Sequence, residues 1–153
     1  MDKELEIKRQ FLDEAQDYLN DLDAAFMGIA DRKVDASRIN AALRAAHSIK
    51  GGAGMMGFMT LSELAHRIED SLKALKIQPD HTVIDNALES TALNAVKAMR
   101  EVGDRSRMAL MTATTGATLV TIDPQWLEQS VFPLFSELRD RLEIRWMRML
   151  TRC

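Results

Sequence analysis

Apolar residues recur at steps of three and four along several stretches of this chain, and this repeat limits what the chain can fold into. Such spacing collects apolar side chains on one face of an α-helix. The clearest examples are two stripes: Ile39, Ala42, Leu43, Ala46, Ile49 and Ala53, and then Leu61, Leu64, Ala65, Ile68, Leu72 and Leu75. We therefore predict an all-α fold without a sheet: an antiparallel four-helix bundle with an additional fifth C-terminal helix.

Changes in the repeat divide the chain into three parts. Residues 1–105 carry four predicted helices and form the bundle. Residues 106–122 are rich in threonine and lose the periodicity, so we expect a linker or loop there. Residues 123–153 begin with a capping aspartate and a first-turn proline, so they form the fifth helix, packed on the bundle or extending from it. Pro133 lies inside this helix and should kink it or remove a hydrogen bond.

Composition excludes several classes of function. The length of 153 residues suits one domain with its own core. The net charge is −3 and no basic block is present, which argues against nucleic acid as a partner. The single cysteine, Cys153, excludes an internal disulfide and a multi-cysteine metal site. No signal peptide or membrane span is visible, so we expect no membrane insertion and a cytoplasmic location.

A histidine followed by a cluster of glycines stands out in the second predicted helix. Four of the chain's seven glycines fall between His47 and Phe58. His47 lies about 100° around the helix from Ala46 of the apolar stripe, so it should face solvent. Gly51 is one turn further along the same face and leaves the imidazole open. Because a glycine inside a helix costs about 0.5–1 kcal/mol relative to alanine, access by another macromolecule is a good reason for its presence.

The third predicted helix offers polar groups that can meet this histidine. The connection between the two helices is short, so they should pack antiparallel. His66 and Glu69 lie one turn apart on the edge of the apolar stripe and can then face His47 and Lys50. A carboxylate bonded to one ring nitrogen would fix the tautomer and leave the other nitrogen nucleophilic. Alternatively, Glu69 simply pairs with Lys73, four residues later.

The run His-Ser-Ile-Lys-Gly-Gly-Ala from residue 47, followed by Gly57 and Phe58, resembles the histidine-containing phosphotransfer (Hpt) domain. It is most similar to the N-terminal phosphoacceptor domain of chemotaxis-type histidine kinases, because His66 and Glu69 follow at the spacing found there. The predicted order of helices is also similar to that type, whose bundle has a fifth helix. The resemblance implies a phosphorelay intermediate in two-component signal transduction.

The resemblance also implies roles for individual residues. His47 would accept a phosphoryl group from a histidine kinase catalytic domain and pass it to an aspartate of a response regulator receiver domain. Lys50 would stabilise the phosphoryl oxygens, and Gly51 would give access to the ring. Glu69 would orient His47, and His66 would belong to the same hydrogen-bond network.

The same resemblance places the nucleotide chemistry outside this chain. ATP and Mg²⁺ are expected on the partner domains, and no cofactor or metal is expected on the chain itself. No phosphate-binding loop or dinucleotide fingerprint is present in the sequence. We therefore expect that the chain alone is not an enzyme, and that the ATP-binding domain of any parent kinase lies elsewhere.

The surroundings of His47 form a candidate docking surface for the receiver domain. Its predicted members are Arg44, Gly54, Met55, Met56 and Phe58. An alternative function is a helical docking bundle for receiver domains that carries out no phosphotransfer. The sequence does not identify the pathway, the cognate partners or the oligomeric state.

A metal-binding bundle is the remaining alternative. His47, His66 and Glu69 would supply two histidines and one carboxylate. Di-iron bundles, however, repeat a Glu-x-x-His pair on two helices, whereas this chain has one His-x-x-Glu pair in the reverse order. The glycine one turn after His47 has no role in such a site.

Overall fold

The computed structural model describes residues 2–32, 34–77, 84–117 and 119–151, with side chains as far as Leu142. Residues 152 and 153, the end of the predicted fifth helix, lie outside it. The helices are α1 (Lys3–Phe26), α2 (Ala36–Met56), α3 (Met59–Lys76), α4 (Asn86–Met111), α5 (Pro124–Trp126) and α6 (Phe132–Thr151). A π-helical turn (Leu127–Val131) joins α5 to α6, and the three segments together are called the C-terminal helix below.

The first four helices form an antiparallel four-helix bundle, which confirms the predicted fold class. α2 packs on α1 and α3, and α4 packs on α1 and α3, so the contacts close a ring. Arg9 near the start of α1 donates to the carbonyl oxygen of Leu110 near the end of α4, at 3.0 Å. Arg100 pairs with Asp23 at 2.7 Å nearer the other end, so these two helices run in opposite directions.

The predicted apolar stripes of α2 and α3 form the centre of the core. Every member is buried except Leu43, which is half-buried against the core. No strand occurs in the described ranges. None of the helices described is long and apolar enough to cross a membrane.

Gly57 allows α2 to turn directly into α3. Its φ angle is +83°, in the left-handed region that favours glycine. Its amide donates to the carbonyl oxygen of Gly54 at 3.4 Å, and the amide of Phe58 donates to that of Ala53 at 2.8 Å. These two bonds form a Schellman motif, which ends α2 and satisfies its last carbonyl groups. The short connection places α3 beside α2.

Gly52 permits close packing between α1 and α2. A Cβ atom at this position would overlap the ring of Phe11. The Phe11 ring also stacks on that of Phe58, with centroids 6.2 Å apart. The ring of Phe11 therefore occupies the space that the absent side chain of Gly52 leaves.

The fourth helix is longer than predicted. It continues to Met111, and both Ser106 and Leu110 are buried, so its inward face extends beyond the expected end. The hydroxyl of Ser106 donates to the carbonyl oxygen of Val102 at 2.8 Å, which satisfies this buried polar group within the helix. The predicted boundary between residues 105 and 106 therefore falls inside α4.

The segment that follows α4 is anchored to the start of α1. The amide of Gly116 donates to Oδ2 of Asp2 at 3.1 Å, and the ammonium group of Lys8 donates to the carbonyl oxygen of Gly116. The other carboxylate oxygen of Asp2 accepts from the amide of Leu5 at 3.1 Å and caps α1. Residues 112–117 are therefore a loop held on the bundle.

The C-terminal helix packs on α3 and α4, the first of the two arrangements considered. Pro133 lies just after the π-helical turn, in which the amide of Phe132 donates to the carbonyl oxygen of Leu127. The wider turn accommodates a proline that has no amide hydrogen and whose ring would crowd a regular helical turn. Phe135 is buried, as is Leu138 three residues later.

Candidate functional site

His47 projects from α2 into solvent, as its position off the apolar stripe predicts. Its side chain is 73% exposed, whereas the neighbouring Ala46 is fully buried. Gly51 is exposed, and a Cβ atom at this position would meet no other atom within 4 Å. The structure therefore leaves open space one turn beyond His47.

Glu69 of α3 lies beside His47 although it belongs to the buried side of its helix. Its side chain is only 7% exposed, and its Oε2 atom lies 3.4 Å from Nδ1 of His47. The separation is slightly longer than an ordinary N–H···O hydrogen bond, so the attraction is mainly electrostatic. Because a carboxylate can only accept, this contact favours hydrogen on Nδ1 and leaves the lone pair on Nε2.

Two lysines approach the other oxygen of the same carboxylate. Lys50 of α2 donates to Oε1 of Glu69 at 2.8 Å, and the Nζ atom of Lys73 in α3 lies 3.7 Å from that oxygen. Burial raises the pKa of Glu69. The hydrogen bond from Lys50, the charges of both lysines and the His47 contact lower this pKa by more than burial raises it. The net result is a pKa below the ordinary value of 4.5, so Glu69 is ionised at neutral pH.

Ser62 holds α3 against α2 beside this cluster. Its hydroxyl donates to the carbonyl oxygen of Lys50 at 2.8 Å. A Cβ atom at Gly54 would lie 3.4 Å from the same hydroxyl oxygen, so this glycine lies directly beside the contact. In the sequence, Ser62 is only a serine between two positions of the apolar stripe, Leu61 and Leu64, so its role could not be predicted there.

His66 is the predicted site residue that the structure does not bring to His47. Its side chain is 58% exposed, and its Nε2 atom lies 3.5 Å from Oδ2 of Asp70, four residues later on the same helix. No hydrogen bond joins it to His47 in the part of the chain described. The reason is geometric: Glu69 lies on the inward edge of α3, whereas His66 faces outward.

This separation also removes the arrangement considered for a metal site. That site required His66 together with His47 and Glu69. Across the described residues, no group of three or more His, Cys, Asp or Glu side chains is placed to hold a metal ion.

The predicted docking residues divide into two groups. Arg44 and Gly54 are exposed, and Met55 is 87% exposed, so these three are available to a partner. Met56 is half-buried and packs against the core. Met59 at the start of α3 is also 63% exposed and extends the apolar surface near the turn.

Phe58 is wrong as a predicted docking residue. It is only 2% exposed and stacks on Phe11 in the core. As the residue after Gly57 in the Schellman motif, it is turned inward, where an apolar side chain commonly packs against the end of the helix. Its role is to hold the α2–α3 turn on α1.

Comparison with known proteins identifies residues 6–102 as an Hpt domain. The chain is similar to chemotaxis protein CheA of Salmonella typhimurium, with 45% identity over 62 residues, covering 40% of this chain and 9% of that protein. It is 35% identical to CheA of Rhizobium meliloti over 88 residues, covering 56% of this chain and 12% of that protein.

A longer but weaker match is to CheA of Cereibacter sphaeroides, with 30% identity over 125 residues, covering 78% of this chain and 16% of that protein. The chain thus spans only a small part of the length of these relatives. No solved structure matches the chain. Because the Hpt match extends over more than half of the sequence, from α1 through most of α4, the chain belongs to the Hpt domain family.

Proposed function

We propose that this chain is a phosphorelay intermediate in which His47 accepts a phosphoryl group from a histidine kinase catalytic domain. It then passes the group to an aspartate of a response regulator receiver domain. Membership of the Hpt family gives the chain a phosphotransfer role in two-component signalling. The assignment of His47 as the phosphoacceptor rests on the contact of its Nδ1 atom with the buried Glu69 carboxylate.

The first transfer uses Nε2 of His47 as the nucleophile. Its lone pair forms a bond to the γ-phosphorus of ATP held by the kinase domain, while the bond from phosphorus to the bridging oxygen breaks and ADP leaves with that electron pair. Nδ1 keeps its hydrogen, so the ring becomes cationic. The adjacent carboxylate of Glu69 stabilises this charge as it develops. Mg²⁺ on the partner domains would neutralise phosphate charge.

The second transfer reverses the bonding at the ring. An aspartate oxygen of the receiver forms a bond to phosphorus, the N–P bond breaks, and its electron pair returns to Nε2. Lys50 lies three residues after His47 on a neighbouring position of α2, close enough in register to stabilise the phosphoryl oxygens. The open space at Gly51 supports approach of the donor and acceptor.

On this proposal the chain is a substrate and carrier rather than an enzyme. It supplies the acceptor nitrogen and its orientation, while the nucleotide site and most of the catalysis belong to the partners. The similarity to CheA proteins supports a chemotaxis-type pathway. Arg44, Gly54, Met55 and the exposed Met59 would form the receiver-docking surface around His47.

The test is phosphorylation by a chemotaxis-type kinase catalytic domain with ATP, followed by mass spectrometry of the intact chain and its peptides. We expect one acid-labile phosphoryl group on His47 that a receiver domain then removes. His47→Gln should keep its helical circular dichroism, because the residue is exposed, and should accept no phosphoryl group. A variant modified as fully as the wild type would contradict the proposal. A wild-type chain that binds a receiver but is never modified would indicate the docking-bundle alternative.

A further inference from the structure

Glu69 faces two ammonium groups through a single oxygen atom. Oε1 accepts from Lys50 at 2.8 Å and lies 3.7 Å from Nζ of Lys73, while Oε2 faces His47. The two lysines come from different helices, since Lys50 is on α2 and Lys73 is on α3, one turn after Glu69. The carboxylate is buried, but Lys73 is 63% exposed and its side chain has room to move.

Phosphorylation of His47 would place two demands on Lys50. A phosphoryl group brings a charge of about −1.5 to −2 and three acceptor oxygens to the neighbouring turn of α2. The same lysine is the nearest cation to the buried Glu69 carboxylate. A buried carboxylate that loses its partner is strongly destabilising. The cationic ring of phosphorylated His47 would face Oε2, so when Lys50 turns to the phosphoryl group it is Oε1 that needs another cation.

Lys73 is the group placed to be that second cation. It already lies at ion-pair distance from the oxygen that Lys50 occupies, and a small change of rotamer would bring it into hydrogen-bond contact. We propose that Lys73 is a positioning residue for phosphotransfer: it takes over Glu69 when Lys50 moves to the phosphoryl oxygens on His47. This inference rests on the proposed function, because it requires His47 to be phosphorylated.

The burial of Glu69 distinguishes this arrangement from an ordinary surface pair. Exposed pairs four residues apart on a helix contribute little, since water screens both charges. Here the shared carboxylate is only 7% exposed. Lys76 provides the comparison on the same helix, because it is exposed and the structure shows no ion pair for it among the described residues.

Phosphorylation with potassium phosphoramidate tests the inference without a kinase. The lone pair of Nε2 forms the new N–P bond, the P–N bond of the donor breaks, and ammonia leaves with that electron pair. Because the donor is small, its reaction does not depend on protein docking. We expect Lys73→Met to slow modification of His47 by about two- to fivefold. Lys73→Arg should restore the rate, and Lys76→Met should match the wild type.

Nitrogen-15 NMR of the lysine ammonium groups gives the second readout. In the wild type, phosphorylation should shift the Lys50 and Lys73 signals together. In Lys73→Met, the Lys50 signal should change much less, because the lysine stays with Glu69. The inference would be overturned if Lys73→Met were modified at the wild-type rate, or if Lys73→Arg were modified as slowly as Lys73→Met. It would also be overturned if phosphorylation of Lys73→Met shifted the Lys50 signal as much as in the wild type. A wild-type chain that neither phosphoramidate nor a kinase modifies at His47 would instead overturn the proposed function.

Discussion

The carboxylate of Glu69, buried in α3, lies 3.4 Å from Nδ1 of His47, which projects from α2 into solvent. A rigid, charged group thus holds one side of an exposed ring. The carboxylate of Glu69 is itself held by Lys50, whose Nζ atom lies 2.8 Å from Oε1. The orientation of the proposed nucleophile therefore depends on how α2 and α3 pack.

Glu69→Gln tests the orienting role of this carboxylate. The change removes the charge but keeps the size, and we expect His47 to react with phosphoramidate about tenfold more slowly, equal to about 1.4 kcal/mol in the barrier. The rate is measured by mass spectrometry over time. Asp70→Asn is the matched control, since it removes a charge from an exposed residue next along the helix. Equal rates for Glu69→Gln and wild type would exclude the orienting role.

The dependence of stability on pH gives a second test of Glu69. Burial raises its pKa, but the hydrogen bond from Lys50 and the charges of Lys50 and Lys73 lower it below the ordinary value of 4.5. A group whose folded pKa is lower than its unfolded pKa stabilises the fold above the unfolded value. This contribution is lost as the pH falls through the folded pKa. We therefore expect the free energy of unfolding to decline below about pH 4.5.

Urea unfolding of wild type and Glu69→Gln, at neutral and acid pH, measures this contribution. The variant should lose less stability on acidification, because it has no carboxylate to protonate at this position. Glu63→Gln is the control, since Glu63 is exposed and pairs only with Arg67 on the surface among the described contacts. A parallel decline for wild type and Glu69→Gln would show that Glu69 does not contribute in this pH range.

Two adjacent glycines should respond in opposite ways to alanine. Gly51→Ala meets open space and should stabilise the chain by about 0.5–1 kcal/mol, because alanine favours the helix. In Gly52→Ala, the new methyl group would push against the ring of Phe11, so the chain should be destabilised by about 1–3 kcal/mol. Urea unfolding of both variants checks the pair. A loss of stability in Gly51→Ala would contradict the open position of that residue.

Bulk at Gly51 should impair transfer without harming the fold. Leucine at this position would fill the open space one turn from His47 and restrict the approach of a receiver domain. We expect Gly51→Leu to transfer its phosphoryl group to a receiver at least several-fold more slowly, with an unchanged helical circular dichroism signal. Gly51→Ala serves as the control of smaller size. Transfer by Gly51→Leu at the wild-type rate would remove the access role.

Alanine variants of Phe58 and Met55 distinguish a role in core packing from a role in docking. Phe58→Ala removes a buried ring that stacks on Phe11, so it should destabilise the chain by about 3–5 kcal/mol. Met55→Ala changes a side chain that is 87% exposed, so the free energy of unfolding should change by less than about 0.5 kcal/mol. On the proposed docking surface, Met55→Ala should nevertheless weaken receiver binding, measured by titration calorimetry. If receiver binding were unchanged, Met55 would not belong to that docking surface.

Much of the fold follows from the helical period of the apolar residues. The stripes of α2 and α3 were predicted almost completely, because burial of one helix face requires side chains at steps of three and four. The exposure of His47 and the open position of Gly51 follow from the same period. The end of α4 was missed, since Ser106 interrupts the apolar pattern although its hydroxyl bonds within the helix and is buried.

The helices, the exposed position of His47 and its Hpt pattern could all be predicted from the sequence, because they depend on local spacing. Which polar groups contact His47 depends instead on how the helices pack together. His66 and Glu69 are three residues apart, yet Glu69 turns inward to His47 and Lys50, whereas His66 turns outward to Asp70. Residues three apart on an α-helix point about 60° apart around its axis. The packing of α3 against α2, including the bond from Ser62 to Lys50, sets which of the two faces His47.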